Sequence, residues 1–127
     1  MENRMNKKEL LKLLKTLKLN EEEFYIIASG ALVLRGICED AGDLDLVVTK
    51  KGLRELKQNY NMFYRKSGVY TVTEKIECEC QKINKNKLDK IDGYYVQNIN
   101  EYLNEIEQST REKERKIIQL VRNYINK

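Results

Sequence analysis

The stretch FYIIASGALVLRGICEDAGDLDLVV, residues 24–48, decides the fold predicted for this chain. Its first part, residues 24–28, is a run of apolar and β-prone residues that is typical of a buried strand. Ser29 and Gly30 follow directly, and glycine suits a place where the backbone turns sharply or approaches a ligand. We therefore predict a strand that ends in a tight turn.

A short helix and a second strand complete this stretch. Residues 31–35 are apolar over about one helical turn, which predicts a short helix packed on a sheet. Gly36 ends the helix, as a glycine commonly does just past a helix C-terminus. Residues 43–48 then predict a strand with a buried apolar end.

Two aspartates at the start of the second strand form a candidate metal site. Residues two apart on a strand point to the same face, so Asp43 and Asp45 project side by side, away from the core. Two close carboxylates repel and raise each other's pKa unless a cation or a donor lies between them. Hard divalent cations such as Mg²⁺ prefer oxygen ligands of this kind. The alternative is a pair of solvent-facing acids on an edge strand.

The turn before the helix adds a candidate phosphate site, because free backbone N–H groups and the helix dipole both favour anions. A phosphate site followed by paired carboxylates resembles the nucleotidyltransferase superfamily, the fold family of DNA polymerase β. The chain looks closest to the small stand-alone members, the minimal nucleotidyltransferases and the AbiEii-type toxin-associated enzymes. Their pattern is an apolar strand, Gly-Gly or Gly-Ser, a short helix ending in Gly, and then Asp-apolar-Asp. The matching residues here are Ala28-Ser29, Ala31-Leu32, Gly36, Asp43 and Asp45.

The resemblance implies an α+β fold, a mixed β-sheet flanked by helices with further helices at the C-terminus. It also implies transfer of a nucleoside monophosphate from a nucleoside triphosphate such as ATP, with Asp43 and Asp45 holding two Mg²⁺ or Mn²⁺ ions. Such enzymes carry a third carboxylate on a later strand. Residues 76–80 alternate with period two, and Glu77 is the first choice for this role, with Glu79 as the alternative. An exposed strand face would explain the same alternation.

The resemblance also implies residues that bind the nucleotide. Ser29 and Gly30 would hold the triphosphate through the hydroxyl and the backbone amide. Related proteins often carry a basic segment ending in Lys-Asp near a helix start, and Lys113 is the possible counterpart here. Arg111 or Lys113 would reach a phosphate if the last helix packs beside the sheet. An intrahelical charge ladder is the alternative explanation for these residues.

Composition limits the other function classes. The chain has 127 residues, enough for one domain over 1–127, and it contains no His, which excludes catalytic triads and imidazole metal sites. Three cysteines without a secretory signal favour reduced thiols in the cytoplasm. No apolar run approaches the length of about 20 residues that a membrane span needs. The net charge of +4 comes from interleaved acids and bases and is weak support for a nucleic-acid surface.

The rest of the chain has local sequence patterns that predict helices, strands and a loop. Residues 1–8 are polar and predict a frayed end. The remaining predictions are helices over 9–19 and 49–60, a hairpin of strands 62–65 and 69–73, strands 76–80 and 94–96, a loop over 81–92, and two final helices that begin near Asn98 and Ser109.

Three functions remain open. The first is an enzyme that modifies an RNA end or a protein hydroxyl, and the resemblance implies a toxin–antitoxin or defence setting with an antitoxin-like partner protein. The second is an inactive binding or regulatory module, favoured by Ala28 in place of glycine and by the acidic loop 39–42. The third is a small RNA-binding protein that uses the lysine faces of helix 9–19 and loop 82–90.

Overall fold

The computed structural model describes residues 4–127 and has an α+β architecture with a mixed sheet. Between Arg4 and Lys127 the strands are β1 (Met5–Asn6), β2 (Phe24–Ile27), β3 (Asp40–Ala41), β4 (Leu44–Val48), β5 (Phe63–Tyr64), β6 (Val69–Thr73), β7 (Ile76–Cys80), β8 (Asp89–Ile91) and β9 (Tyr94–Val96). The helices of the same range are α1 (Lys7–Thr16), α2 (Ala28–Leu34), α3 (Lys50–Asn59), α4 (Ile99–Ile106) and α5 (Glu112–Ile125).

Within residues 4–127, seven strands form the main sheet in the order β5-β6-β7-β4-β2-β9-β8, and β1 pairs with β3 in a small separate sheet. In the centre of the main sheet, β2 and β4 run antiparallel whereas β4 and β7 run parallel. The long connection that a parallel pair requires is supplied here by α3 and the β5–β6 hairpin. The predicted mixed sheet with helices is therefore confirmed.

The main core lies on one face of this sheet. Leu44, Leu46 and Val48 alternate inward on β4, and Ile76 and Cys78 do so on β7. Helices α1 and α2 pack on this face. Full burial of such apolar side chains contributes about 1.5–3 kcal/mol each. On the opposite face of the central strands, Asp45, Glu77 and Glu79 are only half-buried. The candidate site lies on this face.

A second, smaller cluster joins the C-terminal helices to α2. Leu32, Ile99 and Val121 are its buried members, contributed by α2, α4 and α5. Asn98 caps α4 through its side-chain oxygen, as its sequence position predicts. Helix α5 begins at Glu112 and not at the predicted Ser109, whose hydroxyl accepts a hydrogen bond from the Arg111 N–H. Between residues 4 and 127 we find no helix with the length and apolarity needed to cross a bilayer.

The N-terminal prediction needs correction. Residues 1–3 lie outside the described part of the chain, but residues 5–8 belong to β1 and to the first turn of α1 and not to a frayed end. Asn6 accepts a hydrogen bond from the Glu9 N–H while the Glu9 side chain accepts one from the Asn6 N–H, so a capping box starts the helix early. The helix also ends at Thr16, three residues before the predicted end.

The predicted loop over 81–92 is wrong at its C-terminal end. Strand β8 lies there and forms an antiparallel hairpin with β9. Asp92 and Gly93 connect the two strands with φ angles of 52° and 88°. Two consecutive residues with positive φ make the kind of tight turn that Asp-Gly sequences favour between antiparallel strands.

Candidate active site

The central carboxylates lie on neighbouring strands in direct register. The parallel pairing of β4 with β7 places Asp45 opposite Glu77 and Leu44 opposite Ile76. Because side chains alternate along a strand, Asp45 and Glu77 both point to the face opposite the buried Leu44 and Ile76. Asp43 lies just before β4 and is exposed. The structure thus has the predicted placement of Glu77 beside Asp45, and the roles of these residues stay predictions.

Glu79, the alternative third carboxylate, lies on the same face but further along β7. Its position pairs with Val47, so it is one face-sharing step beyond the Asp45–Glu77 pair. The Glu79 carboxylate accepts a hydrogen bond of 3.0 Å from the Gln81 side chain. Register therefore favours Glu77 over Glu79 as the immediate neighbour of Asp45.

The electrostatic environment of Asp45 disfavours its charged form. Burial, followed by the nearby carboxylates of Glu77, Asp43 and Glu79, raises the pKa of Asp45 from 3.8 to about 6. Like charges at close range raise the pKa of a carboxyl group because each one opposes ionisation of the next. At neutral pH the site therefore holds repelling negative charges, which a bound cation would neutralise.

Arg65 is a site residue that the sequence analysis missed. Its guanidinium donates a hydrogen bond to the Glu77 carboxylate and forms an ion pair with it. The predicted hairpin agrees with the pairing of Thr71 with Phe63, but the pairing of Thr71 with Glu77 is visible only in the tertiary structure. Arg65 is two residues after Phe63 and lies on the same side of the hairpin, within reach of Glu77.

The predicted nucleotide-binding residues Ser29 and Lys113 line one cavity. This cavity of about 430 Å³ is also lined by Ala28, Arg111 and Tyr102. The contact of α5 with α2 through Leu32 and Val121 brings these distant parts of the chain together. The third predicted residue, Gly30, does not line it.

Packing against the core explains why position 30 is a glycine. A Cβ atom at this position would lie 3.3 Å from Ile26 Cγ2 and 3.3 Å from Leu44 Cδ1, which is a tight contact. The glycine therefore allows α2 to approach the core face of the sheet closely. A larger side chain here would press into the core, and the predicted role of the Gly30 amide in binding phosphate stays a prediction.

Three neighbouring cavities form what we call the groove. The first contains Asp45, Glu77 and Glu79, the second lies beside Ala28 and Glu79, and the third is the Ser29–Lys113 cavity. They share lining residues, since Ala28 and Tyr102 line both the second and the third. Burial raises the pKa of Tyr102 to about 12, so its hydroxyl stays protonated at neutral pH.

Ala28 lies between the two ends of the groove in a strained conformation. The β2–β4 register pairs Ile27 with Asp45, so the chain leaves β2 next to the carboxylates. Ala28 follows with φ of 56°, in the left-handed region that costs an L-residue roughly 1–2 kcal/mol. Strain of this kind is found preferentially at functional sites.

The oxygen atoms of the carboxylates are ligands that a hard divalent cation prefers, but the carboxylates are not arranged around a common metal position. Within residues 4–127, no group of three or more Cys, Asp or Glu side chains surrounds a point where a metal ion would bind. Asp45 and Glu77 are adjacent, Asp43 is close enough to affect the pKa of Asp45, and all three offer only oxygen ligands. In the described structure Glu77 is bound by Arg65 instead.

Comparisons with models of protein families, with curated proteins and with solved structures found no match to this chain.

Proposed function

We propose that this protein is a nucleotidyltransferase with a DNA polymerase β-like fold, and that it transfers a nucleoside monophosphate from a nucleoside triphosphate to a hydroxyl of RNA or protein. One observation carries the proposal. The register Ile27–Asp45–Glu77 brings the start of α2, with Ala28 and Ser29, and the carboxylates to the same end of the main sheet. A triphosphate that spans the groove would have carboxylates at one end and cationic side chains at the other.

The proposed roles of the residues match their positions in the groove and, for Asp43, its place beside Asp45. Asp43, Asp45 and Glu77 would hold Mg²⁺ or Mn²⁺, and the bound metal would neutralise charge that develops on the phosphoryl oxygens. Ser29 and Lys113 would bind the other end of the triphosphate by hydrogen bonds and charge. Positioning and charge stabilisation supply most of the catalysis in phosphoryl transfer, so no strong base is required.

Label transfer tests this function directly. The protein is incubated with each radiolabelled nucleoside triphosphate, Mg²⁺, and total cellular RNA or protein. We expect transfer that is lost in Asp45→Asn and retained in Asp92→Asn, a matched control at an exposed turn outside the groove. Failure of the wild type to label any acceptor, or full activity of Asp45→Asn, would contradict the proposal.

A regulatory or binding module that retains this fold is the second candidate function. It is favoured by the Arg65–Glu77 ion pair, which occupies a predicted metal ligand, and by Glu105 and Glu114 in the Ser29–Lys113 cavity. Its partner would be an antitoxin-like protein in a toxin–antitoxin or defence system. The free thiols of the three cysteines agree with a reducing cytoplasm for either function. A Mg²⁺ or Mn²⁺ titration that detects no binding would favour the module over the enzyme.

A further inference from the structure

The edge strand β5 exposes two aromatic side chains. Phe63 is 69% exposed and Tyr64 is 60% exposed, and β5 is the terminal strand of the main sheet beside β6. The Tyr64 ring packs against the Tyr70 ring at a tilt of 42°, with the ring centres 5.2 Å apart, and its hydroxyl accepts a hydrogen bond from the Gly68 N–H. The Tyr64 ring is thus held in place at the edge of the sheet. It points to the core side, because Tyr64 pairs with Tyr70 and Tyr70 with Cys78, whereas the more exposed Phe63 points to the opposite side.

Phe63 lies on the same sheet face as the carboxylates. It pairs with Thr71, Thr71 pairs with Glu77, and Glu77 pairs with Asp45, so these four residues form one row across four strands. Paired residues point to the same face of a sheet, and neighbouring strands are about 4.8 Å apart. Phe63 is therefore two strands, roughly 10 Å, from Glu77 along the sheet.

The segment of the chain that contains β5 is strongly basic in sequence, and its Arg65 is paired with Glu77. Residues 50–66 contain six Lys or Arg residues and one acidic residue, whereas the whole chain has a net charge of +4. Lys57 lies over the Tyr70 ring at 5.3 Å, and the Lys18 N–H donates to the Tyr60 hydroxyl at the end of α3. A cleft of about 360 Å³ lies between these aromatic residues and the end of α3.

We infer that the surface formed by β5 and the end of α3, comprising Lys57, Phe63, Tyr64, Arg65 and Lys66, binds single-stranded nucleic acid. Exposed aromatic rings stack on bases of any sequence, and adjacent cations contact the phosphates. Binding here goes beyond the proposed function, and it is measurable without any transfer. One part of the inference rests on the proposed function. It is that the bound nucleic acid extends to Glu77, where a hydroxyl of the nucleic acid would act as the acceptor.

The charge of this surface disfavours a second copy of the protein as its partner, and the short length of β5 disfavours a peptide. A symmetric contact with a second copy would place this basic surface against itself, which repulsion disfavours. Strand β5 has two residues, too few for a peptide to gain many main-chain hydrogen bonds by adding a strand. Single-stranded nucleic acid has both the negative charge and the flat bases that the surface complements.

Fluorescence anisotropy with labelled oligouridylate and oligothymidylate of about 12 nucleotides, within the known range of site sizes, tests the inference. We expect the wild type to bind at low salt, and a preference between the two probes will distinguish RNA from DNA.

Phe63→Leu keeps an apolar side chain without a ring and should weaken binding by about tenfold, the scale of one lost stacking contact. Phe63→Tyr keeps the ring and should bind like the wild type. Leu120→Ala, at an exposed apolar position of α5, is the control and should change nothing.

Salt dependence tests the cationic part of the surface. Each phosphate contact with a single strand contributes about 0.7 to the slope of log K against log salt concentration. Lys57→Gln with Lys66→Gln should therefore lower that slope by about 1.4, whereas Lys12→Gln with Lys116→Gln should leave it unchanged. Circular dichroism confirms that each variant is folded.

Three results would overturn the inference. The first is the absence of binding to both oligonucleotides at low salt. The second is equal affinity of the folded Phe63→Leu and Phe63→Tyr proteins, because stacking needs a ring. The third is a dimer in sedimentation experiments that dissociates in Phe63→Leu, which would assign the surface to self-association. A negative label-transfer assay with intact binding would leave this inference standing and count only against the enzyme.

Discussion

Asp45 has a carboxyl group whose surroundings oppose its charge. Its pKa in the folded protein is about 6, above the ordinary value of 3.8, because of burial and the carboxylates around it. In the folded state the group therefore binds its proton more tightly than in the unfolded chain. The favourable contribution of the protonated group is complete below pH 4 and is lost as the pH rises through about 6.

Asp45→Asn should therefore stabilise the metal-free protein at neutral pH. Because the carboxyl group is partly exposed and solvent screens its repulsion, we expect a gain of about 1–2 kcal/mol at pH 7.5. The gain should shrink below pH 6 and disappear near pH 4. Urea unfolding of the wild type and Asp45→Asn across this pH range measures the difference. A gain that is equally large at pH 4 would show that its cause is not ionisation.

Like Asp45, Ala28 is in an environment that lowers the stability of the folded protein. It has a Cβ atom, yet its backbone is in the left-handed region. Ala28→Gly should stabilise the protein by up to about 1 kcal/mol, because relief of strain exceeds the added entropy of the unfolded chain. Ala31→Gly, the same change within α2, should destabilise it by about 1 kcal/mol or more. Chemical denaturation of both variants measures the contrast. If both substitutions destabilise the protein equally, Ala28 is not strained.

At the scale of elements, Arg35 connects α2 to the far edge of the sheet and to α5. Its guanidinium donates to Asp89 in β8 at 2.6 Å and to the Gln97 carbonyl at 2.9 Å. It also lies 5.7 Å from the centre of the Tyr124 ring in α5. The side chain is only 4% exposed, and its Nε has no hydrogen-bond partner among residues 4–127. Arg35 thus helps to hold α5, and with it the cationic end of the groove, against α2.

Arg35→Leu should destabilise the protein by about 2–3 kcal/mol, below the range for fully buried pairs because Asp89 stays partly hydrated. Hydrogen exchange should become faster in β8 and at the end of α5. The matched control is Arg122→Leu, which breaks the exposed ion pair with Glu107 and should cost less than about 1 kcal/mol. Equal losses of stability in unfolding experiments would contradict a connecting role for Arg35.

At the scale of the whole molecule, the groove depends on segments from both halves of the chain. The start of α2, the starts of β4 and β7, and the start of α5 line the neighbouring cavities of the groove. A ligand that bridges them binds only the folded protein. Such a ligand stabilises the fold by RT ln(1 + [L]/Kd), which is about 1–3 kcal/mol for a metal well above its dissociation constant.

Mn²⁺ should therefore raise the unfolding temperature of the wild type, whereas Asp43→Asn with Asp45→Asn should gain almost nothing. Without metal the double variant should be at least as stable as the wild type, since the repulsion is removed. Thermal unfolding with and without Mn²⁺ measures both effects, and Asp92→Asn with its intact groove should respond like the wild type. A full metal-dependent shift in the double variant would exclude the aspartates as the metal site.

Local signals in the sequence determined most elements of this fold. The alternation over residues 76–80 and the apolar run at 94–96 correspond to β7 and β9, and Asn98 caps α4. These signals suffice because side-chain periodicity and caps depend on neighbours in the chain. Strand β8 was missed although the Asp92-Gly93 turn signals a hairpin, because its polar residues at the sheet edge lack an apolar alternation.

Only the tertiary structure decided how distant residues meet. The parallel β4–β7 register makes Glu77, and not Glu79, the partner of Asp45, and no local pattern distinguishes the two glutamates. The packing of α5 on α2 likewise places Lys113 beside Ser29. The physical reason is that register and helix docking are set by burial of apolar surface from many segments at once, whereas composition and spacing describe one segment at a time.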